Sequence, residues 1–245
     1  MTLLNDHQGS ILVKLATTKQ EKEQAYQLRY EIFSKKDIFS IPETNHSTHM
    51  ESDIYDTTCE HLIALDKSTG LVVGTLRFQT AHTAVNAHGF FADNEYDTQA
   101  LRTSKKTIIE IGRLCINEHY KAHNIFLLFW KSLTTFINTH FTAPVYIIGL
   151  CSVPYTNHHE ISTIHYLLQS KSTFNDFAMD AFPERRFLIN PRGISTEDAH
   201  HLTLPKLLRV YLSAGAQLLG MPAQDTREGN ILAVTFPLLS RFQAR

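Results

Sequence analysis

The chain has 245 residues, 43% of them hydrophobic, with 15 Phe and 9 Tyr, enough to bury one large α/β core or a domain with an added subdomain. A formal net charge of -1 gives no global field for nucleic acid, so an acidic partner must be met by a local basic patch. Cys59, Cys115 and Cys151 are an odd, widely spaced set, which speaks for a reducing compartment and against a disulfide framework. The opening MTLLNDHQGS does not read as a signal peptide, and no apolar run reaches the roughly 18 residues of a membrane span, so a cytoplasmic protein is expected.

Residues 10–17 read as a short strand. Thr18 and Glu21 then have capping-box spacing, and Ala25, Leu28 and Ile32 with Tyr26 and Phe33 give one helical stripe to about Phe33. The pattern is lost from Ser34 to Asp56, which predicts a long, functional loop. Residues 62–65 and 71–78 form two strands about a Lys67-Ser68-Thr69-Gly70 turn, where Gly70 supplies the positive φ. A second loop carries Phe90, Phe91 and the acids near Asp97.

Residues 107–116 are a β-branched strand, 123–141 a helix with Ile125, Leu128, Phe129, Leu133 and Ile137 on one side, and 145–151 a buried apolar strand. In the last third, 161–168 is helical, Thr203 caps a helix with Pro205 in its first turn, and 231–236 closes as a strand. No repeat or linker interrupts the chain. One domain over 1–245 is expected, with a core at 10–152 and a C-terminal part at 153–245.

The ordered elements resemble the GNAT (acyl-CoA N-acyltransferase) fold: α/β, a mixed central sheet with flanking helices and a C-terminal extension. Glu51-Ser52-Asp53-Ile54-Tyr55-Asp56, then Gly74-Thr75-Leu76-Arg77, resembles the E-x-D-x-Y-D and G-x-x-R pattern of acyl-homoserine-lactone synthases. Arg29, Phe33 and Glu110-Ile111-Gly112-Arg113 fall where that family has its Arg, aromatic residue and E-x-x-R. Downstream, Leu128-Phe129-Trp130-Lys131, Ile148-Gly149-Leu150-Cys151-Ser152 and 204–212 resemble the ornithine Nα-acyltransferase family. That second resemblance implies a fatty, 3-hydroxyacyl transfer from acyl carrier protein to an amino-acid α-amine, ornithine first, with no cofactor beyond the donor thioester. An acyl-homoserine-lactone synthase and a non-catalytic acyl- or lipid-binding module are the alternatives, and peripheral contact with the inner membrane is compatible with a lipid product.

Aminolysis of a thioester needs a base for the amine and a polarised carbonyl. Glu110 and Arg113 are the catalytic candidates; on a flat strand they point to opposite faces, so a bulge near Gly112 is expected. Arg29, Phe33, Asp53, Asp56 and Arg77 are the substrate-binding candidates. The two arginines either anchor the loop through the acids or bind the acceptor carboxylate. Where GNAT proteins carry a glycine-rich phosphate loop, this chain has Lys121-Ala122-His123-Asn124-Ile125, which disfavours a CoA pyrophosphate and suits a single phosphopantetheine phosphate. Arg102, Lys105, Lys106, Lys121 and Asn124, with Lys131 nearby, are the candidates for carrier-protein and phosphopantetheine binding. The 14 His include His158-His159-Glu160 and His200-His201, but no recurring ligand spacing, so no metal is expected.

Overall fold

The computed structural model describes residues 4–5, 9–35, 43–169, 179–190, 192–194, 202–227 and 230–242. Packing divides the chain into two compact units, one holding the residues up to His88 with Ile111–Val145, the other Gly89–Glu110 with Tyr146–Phe242. The division passes through a strand at Glu110 and Ile111, not at residue 152.

In the first unit, β1 (Leu4–Asn5), β2 (Ile11–Leu15), β3 (Glu60–Asp66) and β4 (Val72–Thr80) pair in that order as antiparallel neighbours. Gly70 turns the β3–β4 hairpin at φ 72°, and its amide donates to Asp66 O at 2.8 Å. Helix α1 (Lys19–Phe33) starts where expected: Thr18 Oγ1 accepts the Glu21 amide while Glu21 Oε2 accepts the Thr18 amide, both at 3.2 Å. Its Ala25 and Leu28 bury against Ala16, Ile63 and Val72, which fixes the helix on the hairpin. Helix α5 (Ile125–His140) presses Ile125 and Phe129 onto Gly74 of β4.

The stretch read as a long loop holds structure too short to carry a hydrophobic period: helix α2 (Glu43–Thr48) and a 3-10 turn at Ile54–Thr57. Pro42 lies outside the described residues. The second loop likewise contains α3 (Ala81–Val85), a 3-10 turn at Phe91–Asn94 and α4 (Gln99–Thr103).

Strand β5 (Thr107–Ile116) is shared by the units at its two ends. The second unit contains most of β6 (Val145–Pro154), then α6 (His158–Gln169), α7 (Lys206–Ser213), β7 (Gln217–Leu218), β8 (Ala223–Arg227) and β9 (Asn230–Phe242). β7 and β8 each pair antiparallel with β9. β9 is far longer than the closing strand expected, and β8 was not foreseen. Helix α7 takes Pro205 as its cap residue, not Thr203. The His200-His201 pair lies outside the described residues. Among the described residues no helix is long and apolar enough to cross a membrane.

Candidate active site

The E-x-D-x-Y-D segment folds on itself before it meets any arginine. Asp53 Oδ1 accepts the Tyr55 amide at 3.0 Å and Asp56 Oδ2 accepts the Asp53 amide at 2.8 Å, so the two acids cap the 3-10 turn between them. Their remaining lone pairs face α1, β4 and β5. Arg29 donates to Glu51 through Nε at 2.5 Å and grips Asp56 with both terminal nitrogens at 2.8 Å. Arg77 donates to Asp53 at 2.5 Å and Asp56 at 2.9 Å. Arg113 donates to Glu51 at 3.1 Å and Asp53 at 2.8 Å.

The six charges therefore close a ring of alternating sign: Arg29, Glu51, Arg113, Asp53, Arg77, Asp56. The Arg29 side chain is 0% exposed, whereas Arg113 and Asp53 are 18% and 22% exposed, so the ring has a buried side and an accessible edge. Burial works against the Asp56 carboxylate, but the Arg29 fork, the charges of Arg29 and Arg77 and the Asp53 amide hold its carboxyl well below the usual range. Every nitrogen of the Arg29 guanidinium is bonded to a ring carboxylate, and Arg77 donates through Nη1 to both aspartates, the loop-anchoring arrangement of the two that the sequence left open. Removing one member would strand a buried charge, at a cost of about 3–5 kcal/mol.

His61 of β3 lies directly opposite Arg77 on β4 and is 0% exposed. Its Nε2 is 3.7 Å from Asp56 Oδ1, too far for a hydrogen bond, and neither ring nitrogen has a hydrogen-bond partner among the described residues. Burial, with the Arg29 and Arg77 charges and against Asp56, pushes its pKa down to about 4. The ring is neutral imidazole packed edge-on against Tyr26, at 5.5 Å between centroids.

Glu110 and Arg113 serve different partner sets. Glu110 is buried, and its two oxygens accept the amides of Phe91 and Ala92 at 2.8 and 2.9 Å, which fastens the 3-10 turn at Phe91–Asn94. Arg113 joins the charge ring. The strand runs unbroken from Thr107 to Ile116, but Arg113 within it adopts φ 50°, in the left-handed region that non-glycine residues rarely occupy. The irregularity thus falls one residue beyond Gly112. Phe33 is buried at the end of α1, four residues after Arg29.

The donor-side candidates divide between the units. Asn124 is exposed, adopts φ 50° and precedes α5, whose first turn holds no acid and receives no side-chain cap. Asn therefore supplies the left-handed turn that glycine usually provides. The Lys121 side chain lies outside the described residues. In the second unit Lys105 is exposed, Arg102 lies 3.5 Å from Asp93, and Lys106 donates to the Tyr146 hydroxyl at 3.4 Å, with Arg241 also over that ring. Glu51 opens the E-x-D-x-Y-D text without being a binding candidate there, and the Asp53-to-Asp56 capping spacing signals the local turn but not its docking onto Arg29. No group of three potential metal ligands gathers among the described residues.

Residues 28–131 match the acetyltransferase (GNAT) domain family, a span that contains the whole charge ring and Asn124. The chain is 25% identical over 224 residues to the L-ornithine N(alpha)-acyltransferase of Brucella abortus (strain 2308), covering 86% of this chain and 78% of that protein. It is 25% identical over 219 residues to the protein of the same name from Agrobacterium fabrum (strain C58 / ATCC 33970), covering 85% and 74%. Among solved structures, the AHL synthase LasI aligns with TM-score 0.49 and 13% identity over 96% of this chain and 91% of that one. Residues 28–131 therefore read as an acetyltransferase (GNAT) domain within a GNAT-like α/β fold, and the two relatives that the chain resembles are named N-acyltransferases.

Proposed function

We propose that the chain moves a fatty, 3-hydroxyacyl group from the phosphopantetheine thioester of acyl carrier protein to the α-amine of ornithine, giving a lyso-ornithine lipid. The observation that carries the acceptor is the similarity, over most of both chains, to two proteins named L-ornithine N(alpha)-acyltransferase. The charge ring supports it by supplying a rigid, preorganised wall whose accessible edge pairs Arg113 with Asp53, one group of each sign for a zwitterionic amino acid. On the donor side, the uncapped first turn of α5 suits one phosphate, and Lys121 to Ile125 offers no glycine for the close backbone approach that a pyrophosphate needs. The exposed Lys105 and Lys106 suit an acidic carrier surface.

The test is an assay with purified protein, ornithine and matched acyl chains on carrier protein and on CoA, at low and high salt, with products read by mass spectrometry. N-acylornithine should form from the carrier-protein donor, more slowly from acyl-CoA, and more slowly at high salt, because exposed charges are screened beyond about 8 Å at physiological ionic strength. Equal rates from both donors without a salt effect would refute the donor assignment. No product from either donor, with ornithine or other amino acids, would leave a binding module.

A further inference from the structure

Helix α5 has a fully buried face. Ile125, Leu128, Phe129, Leu133 and Ile137 are buried, with Ile125 and Phe129 against Gly74 and Phe136 edge-on to Phe78 at 5.0 Å between centroids. A surface helix whose core face is satisfied in this way carries charged and polar residues on the opposite side. The opposite side of the first two turns of α5 does not. Leu127 is 45% exposed, and Trp130, its neighbour at helical spacing, is half-buried. Lys131, exposed and four residues after Leu127, is the one Lys or Arg in the helix, and its sequence contains no Asp or Glu.

This patch begins at the turn that the donor reading gives to a phosphate. Asn124, exposed and left-handed, leads directly into Ile125, and the helix from Asn124 to Lys131 rises only about 10 Å at roughly 1.5 Å per residue. In a carrier protein the phosphate of phosphopantetheine is esterified to a serine side chain, so the carrier's own surface stands directly behind it. A carrier whose phosphate meets the first turn of α5 therefore has to cover what surrounds that turn. Leu127 and Lys131 lie well inside the roughly 800 Å² that each partner gives to a standard interface. An apolar anchor with an aromatic ring at its side and a cation at its rim suits a protein surface that is acidic around an apolar centre. In acyl-CoA only a nucleotide stands there, a far smaller surface.

We propose that the outward face of the first two turns of α5, with Leu127 as apolar anchor and Lys131 as cationic rim, is the docking surface for the acyl carrier protein. That role rests on the carrier-protein donor proposed above. The face belongs wholly to the first unit, whereas Lys105 and Lys106, the other cations suited to an acidic carrier, belong to the second, so mutation separates the two surfaces.

The test compares wild type, Lys131→Glu, Leu127→Ala and Lys106→Glu on one acyl chain, carried either by the carrier protein or by phosphopantetheine alone. The quantity read is the ratio of kcat/KM for the two donors. Lys131→Glu should lower that ratio about tenfold through KM, and less at high salt; Leu127→Ala should lower it about three- to tenfold at either salt. Both substitutions fall at exposed positions, so melting should stay within about 2 °C of wild type. A ratio within about twofold of wild type in both variants overturns the proposal, and a fall confined to Lys106→Glu moves docking to the second unit. Wild type with equal kcat/KM on both donors overturns docking and leaves the transfer reading standing. Trp130, the chain's one tryptophan, adds a measurement that needs no turnover. Unacylated carrier protein that itself lacks tryptophan should change Trp130 emission saturably in wild type and more weakly in Lys131→Glu. A blue shift with vesicles of anionic phospholipid, and no change with carrier, would assign the face to a membrane and overturn the proposal. Wild type that transfers no acyl group from any donor defeats the function reading, while a saturable Trp130 titration still upholds docking.

Discussion

Carboxylates in this chain are told apart by what occupies their oxygens. Asp53 and Asp56 divide theirs between backbone amides and arginines, and Glu110 gives both of its oxygens to the amides of Phe91 and Ala92. A glutamine at 110 keeps one acceptor but turns an NH₂ group toward the other amide, leaving a buried donor unsatisfied at a cost of about 1–3 kcal/mol. Glu110→Gln should therefore melt several degrees lower, by roughly 2–4 °C for each kcal/mol in a chain this long. Its turnover should drop no more than the loosened turn at Phe91–Asn94 explains. A variant that melts like wild type and has no measurable turnover would instead return Glu110 to the role of base.

Among elements, the contact of β4 with α5 depends on one missing side chain. A Cβ on Gly74 would stand 3.0 Å from Ile125 Cγ2 and 3.2 Å from both Ala64 Cβ and Phe129 Cζ. Ile125 and Phe129 sit four apart on α5, so the helix meets the strand with one face and cannot yield at a single residue. Gly74→Ala should cost about 1–3 kcal/mol by overpacking, whereas Gly112→Ala, with nothing within 4 Å, should be nearly neutral. Equal melting temperatures for the two would mean that α5 shifts freely on β4. The elements that were legible in sequence have a strong period or a cap: α1 with its Thr18 box, the β3–β4 hairpin around Gly70, and the apolar strand β6. The short helices and 3-10 turns were not, because five or six residues hold too little period to read. Most of the ring was legible. Arg29, Asp53, Asp56, Arg77 and Arg113 could be named from motif spacing, but Glu51 became a member only through folding of its segment onto α1. The raised carboxyl of Glu95 carried no motif either, because it arises from burial, which no local pattern encodes.

At the scale of the whole molecule the two units respond to acid and alkali in opposite senses. In the first, His61 is buried neutral with its pKa at about 4, below the roughly 6.5 of an unfolded histidine. The unfolded chain therefore binds the extra proton between these values, and stability present above pH 6.5 is lost as pH falls toward 4, on the order of 3 kcal/mol for this one group. Asp56, held below the carboxylate range, adds a loss that begins under about pH 4, where an unfolded aspartate protonates first. In the second unit burial pushes the Glu95 carboxyl up to about 7, so its contribution acts the other way and is lost as pH rises from about 4.5 to about 7. The two windows overlap between about 4.5 and 6.5 and oppose one another there, so melting measured from pH 4 to 9 should change little over that range, fall below about 4.5 and be flat above about 7 as far as these groups act. His61→Phe keeps the flat ring against Tyr26 and removes two buried nitrogens without hydrogen bonds, so it should match or exceed wild type at pH 7. Its advantage should widen steadily from pH 6.5 down to 4, because the proton that wild type gains on unfolding has been removed. An advantage that stays constant with pH would show that His61 is charged in the fold, paired with Asp56 across the 3.7 Å gap, and that the ring holds four cations against three acids.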